Sequence, residues 1–250
     1  MKGFVFAAGL GTRLKPLTDT LPKALVPVCG KPLLEHVLRR MQSFGIDCFV
    51  VNVHHFADKI EAWLDGQDWV SVDVSDERAT LLETGGAVLN ARKYLDGCGH
   101  FLIHNVDILS DCDLGWLMEQ VRPDALATLL VSDRKSSRYL LFDPQTMRLA
   151  GWTNENTGEV RPVGLDMEKA SYRKLAFSGI HIMSDKVLEL MERYVSERNL
   201  CPPRFSIIDF YLEMCASHDI YGVCSENLKL VDVGKHDTLA AAEDFLSDSH

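Results

Sequence analysis

A glycine-rich turn near the start of the chain holds the residues best suited to chemistry. Gly9 and Gly11 follow the short apolar run Phe4–Ala8, and glycines there let the backbone turn tightly and bring its N–H groups close to a phosphate. Arg13 and Lys23 add positive charge to the same irregular stretch. Backbone donors and cations together are suited to wrapping a triphosphate, so the segment predicts a phosphate-binding loop.

Other glycine-loop classes fit this turn less well. A dinucleotide-binding fingerprint needs a third glycine where Leu14 stands, and Pro16 would break the helix that follows such a loop. A Walker A loop is not present either, because Gly30-Lys31 is followed by Pro32 and lacks the upstream glycine. A purely structural turn is the alternative for the two glycines taken alone, and the neighbouring cations favour phosphate binding over it.

Two aspartates lie at the ends of apolar runs. Asp107 follows Phe101–Val106, and Asp232 lies within the segment L-V-D-V-G of residues 230–234. An acid at the carboxyl end of a central strand sits where open α/β sheets bind ligands. Carboxylates, phosphates and water are the ligands that Mg²⁺ prefers. Each aspartate alone could instead cap a turn, and because they are far apart in the chain, their meeting is a prediction about the fold.

Glycines recur in the segment L-E-T-G-G of residues 82–86, at a predicted junction between a loop and a helix. Thr84, Gly85 and Gly86 would there expose backbone amides that could hydrogen-bond a base edge or a ribose. A plain helix N-terminus is the alternative reading of the same residues.

The elements that must position these residues alternate regularly along the chain. Short apolar runs such as Cys48–Val53 follow amphipathic ones such as Leu33–Phe44 and Gly86–Leu95. This alternation predicts an α/β fold with a mostly parallel sheet covered by helices. The sequence contains no linker or internal repeat, so we expect a single domain over residues 1–250. It also lacks the hexapeptide repeats that would predict a left-handed β-helix, so we expect no such domain.

Composition excludes several functional classes. The 250-residue chain has a net charge of −10, which disfavours a general nucleic-acid binder. Residues 1–31 nevertheless contain five Lys/Arg and only Asp19, which predicts a local anion site. No apolar run approaches the roughly 18–20 residues that span a bilayer. The seven cysteines are odd in number and widely spaced, so we expect neither a disulfide framework nor a zinc site. Free cysteines fit a reducing compartment, so we expect a cytoplasmic protein.

The run G-L-G-T-R-L-K-P-L-T-D-T-L-P-K-A-L-V-P-V, residues 9–28, closely resembles the signature of the sugar-1-phosphate nucleotidylyltransferases. Those enzymes join a nucleoside triphosphate to a sugar 1-phosphate and release pyrophosphate. The resemblance is specific because it includes G-x-G-T-R, a proline three residues beyond the arginine, and the later P-K. It is fair over residues 81–110 and 175–183, good over 228–240, and nearly absent over 133–170.

The resemblance implies a three-layer α/β/α, Rossmann-like nucleotidyltransferase fold with a mixed, mostly parallel sheet. Arg13 and Lys23 would be the catalytic cations around the α-phosphorus and the leaving pyrophosphate, and Asp107 and Asp232 would hold Mg²⁺. The residues implied to bind the nucleotide are Ala8, Gly9, Gly11, Thr12, Arg13, Lys23, Thr84, Gly85, Gly86 and Asn105. Those implied or considered for the sugar are Ser178, Gly179, Glu155 and Lys174.

The expected partners are a nucleoside triphosphate, with UTP or GTP favoured, and a sugar 1-phosphate. Residues from about 1 to 110 would bind the nucleotide and residues from about 111 to 235 the acceptor. The chain looks most like the compact bacterial branch, which includes N-acetylmuramate 1-phosphate uridylyltransferases and guanylyltransferases for mannose or heptose 1-phosphate. We expect a monomer or homodimer that binds neither nucleic acid nor membrane, while the base and the sugar stay open.

One departure from the family pattern keeps alternatives open. Val106 stands where the family usually has a glycine before the metal-binding aspartate, and its bulk lies close to where a nucleotide or sugar would pass. A non-catalytic homologue that binds a nucleotide or a nucleotide sugar is therefore one alternative. A phosphocholine-type cytidylyltransferase, which shares the first motif, is another. A nicotinamide-dependent dehydrogenase is disfavoured by Leu14 and Pro16.

Overall fold

The computed structural model of the chain describes residues 1–165, 171–225, 227–235 and 237–247. Eight α-helices lie in these ranges: α1 (Leu33–Gln42), α2 (Ala57–Asp65), α3 (Glu83–Asn90), α4 (Arg92–Leu95), α5 (Leu114–Glu119), α6 (Val187–Glu197), α7 (Ile207–Met214) and α8 (Asp237–Ser247). The strands in the same ranges are β1 (Lys2–Phe6), β2 (Pro27–Val28), β3 (Lys31–Pro32), β4 (Cys48–Val53), β5 (Ser71–Asp76), β6 (His100–Asn105), β7 (Ile108–Ser110), β8 (Ala127–Ser132), β9 (Arg138–Phe142), β10 (Leu149–Asn154), β11 (Glu159–Arg161), β12 (Arg173–Ser184), β13 (Ile220–Cys224) and β14 (Leu230–Asp232).

A parallel set of strands in the order β6-β1-β4-β5 forms one half of the main sheet. Val5 of β1 lies between Val51 of β4 and His104 of β6, and all three strands run in the same direction. Strands β1 and β4 contain almost continuously apolar runs, F-V-F and V-V-N-V, because both faces of a parallel sheet are covered by helices. The carboxyl ends of these strands therefore lie along one edge, where ligands bind in such folds.

The long strand β12 organises the other half of the sheet. It runs antiparallel to β6, β8 and β9, and β8 in turn pairs in parallel with β13. Between Phe177 and His181 the register of β12 against β8 shifts, and Gly179 there has φ +79°. A β-bulge with a left-handed glycine bends a strand locally, so β12 serves both the main sheet and the antiparallel extension β9-β10-β11.

Two hydrophobic clusters, one on each face of the sheet, make the fold three-layered. Val5 packs in the cluster that contains α1, α2, α5 and α8, whereas its neighbour Phe4 packs in the cluster that contains α3, α4, α6 and α7. Successive residues of a strand point to opposite faces, so β1 contributes to both clusters. The predicted α/β class with a mixed sheet between helices is confirmed.

The boundaries of several elements differ from the sequence predictions. The helix expected over Gly86–Leu95 is two helices, α3 and α4, and α3 begins earlier, at Glu83. The short strands β7 and β11 were not predicted, because strands of three residues carry no readable periodicity and form only where a partner strand lies beside them. None of the described helices is both long and apolar enough to cross a membrane.

Two buried histidines predict a loss of stability in acid. Burial lowers the pKa of His104 to about 4 and that of His181 to about 3, from an ordinary value of 6.5. Below pH 6.5 these two histidines become protonated in the unfolded chain but stay neutral in the folded one. Stability is therefore full above pH 6.5 and falls toward pH 4, by about 1.4 kcal/mol per pH unit for each histidine.

Urea unfolding of the wild type and of His181→Leu between pH 4.5 and 7.5 measures this effect. We expect the variant to lose the part of the pH slope that belongs to His181, about 1.4 kcal/mol per pH unit. His218→Gln, which changes a histidine at the surface turn after α7, serves as the control and should keep the wild-type slope. Equal slopes in the wild type and His181→Leu would contradict the assignment.

Candidate active site

The loop after β1 is held in shape by contacts around Gly11. Its carbonyl accepts hydrogen bonds from Leu14 N–H at 2.9 Å and from Thr18 Oγ1 at 2.7 Å. Gly11 has φ +63°, and a Cβ there would lie 2.8 Å from Thr18 Cγ2 and 3.1 Å from Lys23 Cβ. A side chain would push the loop apart, so glycine is required for the chain to close on itself. Gly9, by contrast, faces open space, since a Cβ there would meet nothing within 4 Å.

Lys23 connects this loop to the end of β6. It follows Pro22, lies in a short 3₁₀ turn, and is 8% exposed. Its ammonium group forms an ion pair with the Asp107 carboxylate. A nearly buried lysine is costly unless a negative charge or an acceptor satisfies it, so this pair fixes the loop against the turn that follows β6.

Asp107 and Asp232, distant in sequence, lie on adjoining segments. Strands β7 and β14 pair antiparallel, with Asp232 opposite Ile108. The N–H of Val233 donates to the carbonyl of Asp107 at 2.8 Å, immediately beyond the ladder. The structure thus brings the two predicted metal ligands together at one end of this small sheet. Among the described residues, no third His, Cys, Asp or Glu completes a metal-binding group.

Arg13 reaches the same place from the loop after β1. A Cβ at Gly234 would lie 2.8 Å from Arg13 Nη2 and 2.7 Å from Asp232 Oδ1. The guanidinium group and the carboxylate therefore both border the space that Gly234 leaves free. A side chain at position 234 would displace the ends of these two side chains, and Arg13 itself is exposed.

A cavity of about 400 Å³ lies at the carboxyl ends of β1, β4 and β6. Its size suits a nucleotide-sized ligand. Six of the predicted nucleotide or metal residues line it, Ala8, Gly9, Lys23, Thr84, Asn105 and Asp107, together with Phe6, Asn52, Leu81, Glu83, Val106 and Ser206. Val106 is 3% exposed and packs in the core beneath the cavity, so most of its bulk is directed away from the open space.

The expectation that the L-E-T-G-G loop exposes free amides was wrong for two of its residues. Gly85 and Gly86 are buried, and both donate their N–H groups to the carbonyl of Phe205, at 2.9 and 3.3 Å. A Cβ at Gly85 would lie 2.3 Å from the Phe205 ring, and one at Gly86 would lie 2.1 Å from the Pro203 carbonyl oxygen. These glycines allow α3 to pack against the segment before α7.

The cavity meets this loop through other residues. Leu81, Glu83 and Thr84 line it, and Thr84 Oγ1 accepts a hydrogen bond from Ile207 N–H at 2.9 Å, which leaves the Thr84 hydroxyl proton for a ligand. Glu83 has φ +61° and accepts a hydrogen bond from Arg204 Nε at 2.9 Å. A non-glycine residue in the left-handed region is uncommon, and such residues occur often at binding sites.

None of the predicted sugar residues is among those that line this cavity. Ser178 is buried and its hydroxyl donates to the carbonyl of Leu130 at 2.7 Å, so it is committed to the sheet. Gly179 leaves room for the Asn105 side chain, since a Cβ there would lie 2.7 Å from Asn105 Nδ2. The exposed pair Glu155–Lys174 is joined at 3.2 Å and is not among the residues that line the cavity.

A second cavity, of about 350 Å³, shares Ser206 with the first. Mostly polar side chains from β9, β10 and β11 and from the N-terminal end of α7 line it: Arg138, Trp152, Asn154, Glu159, Arg161, Ser206, Ile208 and Asp209. The Arg161 guanidinium stacks over the Trp152 ring at 4.9 Å and pairs with Asp209 at 2.8 Å. Arg138 has no ion pair with any residue that the structure describes.

The sequence analysis missed this second cavity, the buried Asn52 that lines the first cavity, and the buried Glu77 that accepts a hydrogen bond from Asn52. Asn52 stands within the apolar run F-V-V-N-V, and Glu77 follows β5. A polar residue inside a predicted buried strand is a detectable signal, because its buried polar group needs a partner. Burial raises the pKa of the Glu77 carboxyl group, while hydrogen bonds from Asn52 and Leu82 act in the opposite direction.

The chain belongs to the nucleotidyl transferase family, whose model matches residues 2–249. This confirms the resemblance inferred from residues 9–28. The chain is 46% identical over 107 residues to the N-acetylmuramate alpha-1-phosphate uridylyltransferase of Caulobacter vibrioides, a match that covers 41% of this chain and 44% of the relative. It is 42% identical over 115 residues to the protein of the same name from Neisseria meningitidis, covering 45% and 49%. The chain thus matches about half the length of these curated relatives.

Solved structures agree with the fold over nearly the full chain. HddC from Yersinia pseudotuberculosis, complexed with GMP-PN, superposes with a TM-score of 0.73 at 21% identity, covering 98% of this chain and 99% of that one. The UDP-glucose pyrophosphorylase from Acinetobacter baumannii gives a TM-score of 0.77 at 19% identity, covering 100% and 94%. At this identity the likeness establishes the three-layer fold alone.

Proposed function

We propose that the protein transfers a nucleotidyl group from a nucleoside triphosphate to a sugar 1-phosphate, which yields a nucleoside diphosphate sugar and pyrophosphate. The observation that carries the proposal is the meeting of Lys23 and Asp107 at the cavity that Gly9 and Thr84 also line, in a member of the nucleotidyl transferase family. The names of the curated relatives favour UTP, and GTP is the second candidate. They lend no support to a phosphocholine-type cytidylyltransferase or to a non-catalytic homologue.

The chemistry asks for positioning and charge rather than for a protein nucleophile. A phosphate oxygen of the sugar 1-phosphate attacks the α-phosphorus, the new P–O bond forms there, and the bond to the bridging oxygen of the β-phosphate breaks to release pyrophosphate. Lys23, whose ammonium lies at the cavity, neutralises charge between the two reacting phosphates. Arg13 stabilises the negative charge that develops on the departing pyrophosphate.

The donor set fits Mg²⁺ as the cofactor. Asp107 and Asp232 supply two carboxylates on adjoining segments, and Mg²⁺ is commonly bound by one or two carboxylates with phosphate oxygens and water completing its shell. The Asp107 carboxylate already faces a cation, the Lys23 ammonium. When bound, the ion would neutralise phosphate charge near these acids, and Lys23 would be free to follow the phosphates.

We assign the acceptor to the second cavity, in the part of the chain from about residue 111 to 235. Trp152 lines it with an aromatic ring of the kind that packs on sugars, and Arg138 offers a cation without an ion pair among the described residues. Ser206 lines both cavities and so marks the boundary between the nucleotide and the acceptor. Ser178, Glu155 and Lys174 take no part in this assignment, because their polar groups are engaged elsewhere.

Replacing Arg138 tests the acceptor assignment. Arg138→Ala should raise the KM for the sugar 1-phosphate about tenfold, because one charge-assisted contact is lost, while the KM for the nucleotide stays within about twofold. Initial rates of pyrophosphate release over a matrix of both substrates measure the two constants. Arg173→Ala, at an exposed position on β12, is the control. A change in the nucleotide KM alone would contradict the assignment.

The proposed activity is tested by coupled detection of pyrophosphate with Mg²⁺, the four nucleoside triphosphates and a panel of sugar 1-phosphates with phosphocholine added. We expect release only where a triphosphate and a sugar 1-phosphate are both present, and fastest release with UTP or GTP. Release with phosphocholine and CTP alone would replace the sugar acceptor by a phospho-alcohol. Tight nucleotide binding without release under any pairing would indicate the non-catalytic homologue.

A further inference from the structure

Three buried hydrogen bonds join the two loops that flank the nucleotide cavity. Asn52 Oδ1 accepts from the N–H of Ala7 at 2.7 Å, and Asn52 Nδ2 donates to Glu77 Oε1 at 2.8 Å. Glu77 Oε2 accepts from the N–H of Leu82 at 3.1 Å. Asn52 and Glu77 are each 3% exposed, so water does not compete for these bonds, and the chain of contacts runs from the end of β1 to the start of α3.

The partners of Asn52 determine which way its amide group faces. A backbone N–H can only donate, so it must meet the amide oxygen, and an ionised carboxylate can only accept, so it must meet the amide nitrogen. The amide nitrogen carries two hydrogens, and Glu77 receives one of them. The second has no partner among the residues that the structure describes, and Asn52 lines the nucleotide cavity.

We propose that Asn52 donates this second N–H to an oxygen of the bound nucleoside, on the base or the ribose, and that Glu77 is the positioning residue that keeps the amide in that orientation. The inference rests on the proposed function, because it adds a contact within the same nucleotide site. Neither residue belongs to the glycine motifs or to the pair of aspartates. The proposed contact of Asn52 with the nucleoside lies between the loop after β1, which begins at Ala7, and the loop that contains Leu82.

An isosteric substitution removes the donor and leaves the size of the side chain unchanged. Asn52→Asp should raise the Kd for α,β-methylene analogues of UTP and GTP at least about tenfold, as expected for a buried hydrogen bond replaced by a repulsive oxygen. In turnover, the KM for the nucleotide should rise while the KM for the sugar 1-phosphate stays within about twofold. Glu77→Gln should weaken binding of the same analogues, because its amide can present a donor where Asn52 needs an acceptor.

The double substitution Asn52→Asp/Glu77→Gln separates binding from structure. The carboxylate introduced at position 52 would accept from Ala7 N–H and from the amide nitrogen introduced at position 77. The amide oxygen at position 77 would still accept from Leu82 N–H, so every internal bond is restored with donor and acceptor exchanged. The cavity would still face an acceptor instead of a donor. We expect the double variant to regain the thermal stability that Asn52→Asp loses, and to keep the weakened nucleotide binding.

Asn90→Asp is the matched control. Asn90 donates to Ser75 Oγ at 3.0 Å and to the carbonyl of Asp76, the residue before Glu77, at 3.2 Å. Asn90 itself does not line the cavity. It should bind the analogues within about twofold of the wild type. Wild-type affinity in the double variant, or equal weakening in Asn90→Asp, would assign Asn52 a purely structural role. Absence of analogue binding by the wild type would overturn the proposed function together with this inference.

Discussion

Arg13→Ala should lower the turnover number about 10²- to 10³-fold and leave the protein folded. The guanidinium group is exposed and borders the space left by Gly234, so its loss empties no core. A cation placed where charge develops contributes about 3–4 kcal/mol to transition-state stabilisation, whereas surface substitutions usually change stability by about 0.5 kcal/mol or less. Steady-state pyrophosphate release and a thermal melt measure both quantities.

Lys31→Ala provides the control for this experiment. Lys31 belongs to the same basic N-terminal segment and is exposed, with its Nζ 3.9 Å from Glu35 Oε1. It does not line the nucleotide cavity. We expect its turnover number to stay within about twofold of the wild type. Unchanged turnover in Arg13→Ala would remove Arg13 from the mechanism, and an equal loss in Lys31→Ala would reduce the effect to the general charge of the segment.

Asp107→Asn should lower the turnover number by more than about 10³-fold. The substitution keeps the size of the side chain but removes the charge that pairs with the Lys23 ammonium, and it removes one of the two carboxylates proposed for Mg²⁺. A ligand that organises the reacting phosphates contributes to every step of the transfer. The Mg²⁺ concentration for half-maximal rate should rise as well, and a titration of rate against Mg²⁺ measures it.

Asp111→Asn controls for changes in the β7–β14 ladder itself. Asp111 lies just beyond the ladder and its carboxylate accepts from Lys229 N–H at 2.9 Å, outside the cavity. It should keep the wild-type response to Mg²⁺ even if the unfolding midpoint falls slightly. If Asp107→Asn retained turnover within about tenfold of the wild type, Asp107 could not be a metal ligand of the reacting complex.

The parts of the site that the sequence predicted are those with local causes. Gly9 and Gly11 stand directly after an apolar run, so their turn could be placed without knowledge of the rest of the chain. The strand ending before Asp107 was predicted for the same reason. Asp232 was paired with Asp107 through the family pattern. Spacing alone could not relate the two aspartates, because they are brought together only by the pairing of β7 with β14.

The parts that the sequence did not predict depend on contacts between distant segments. Gly85 and Gly86 have the composition of an open, amide-exposing loop, yet the segment containing Phe205 closes over them and takes their N–H groups. Ser178 looked available in a strand but is bonded to Leu130 on the neighbouring one. The role that we propose for Asn52 rests on its hydrogen-bond partners on two other segments, and those partners are brought together only by the fold.

The fate of a labelled phosphate tests the central claim most directly. The protein, Mg²⁺ and a sugar 1-phosphate would be incubated with UTP or GTP labelled with ³²P at either the α- or the γ-position, and the products separated. Attack at the α-phosphorus predicts that α-label enters the nucleotide sugar, while γ-label is found only in pyrophosphate. Transfer of γ-label to the sugar phosphate, or α-label retained as nucleoside diphosphate with free phosphate released, would contradict nucleotidyl transfer.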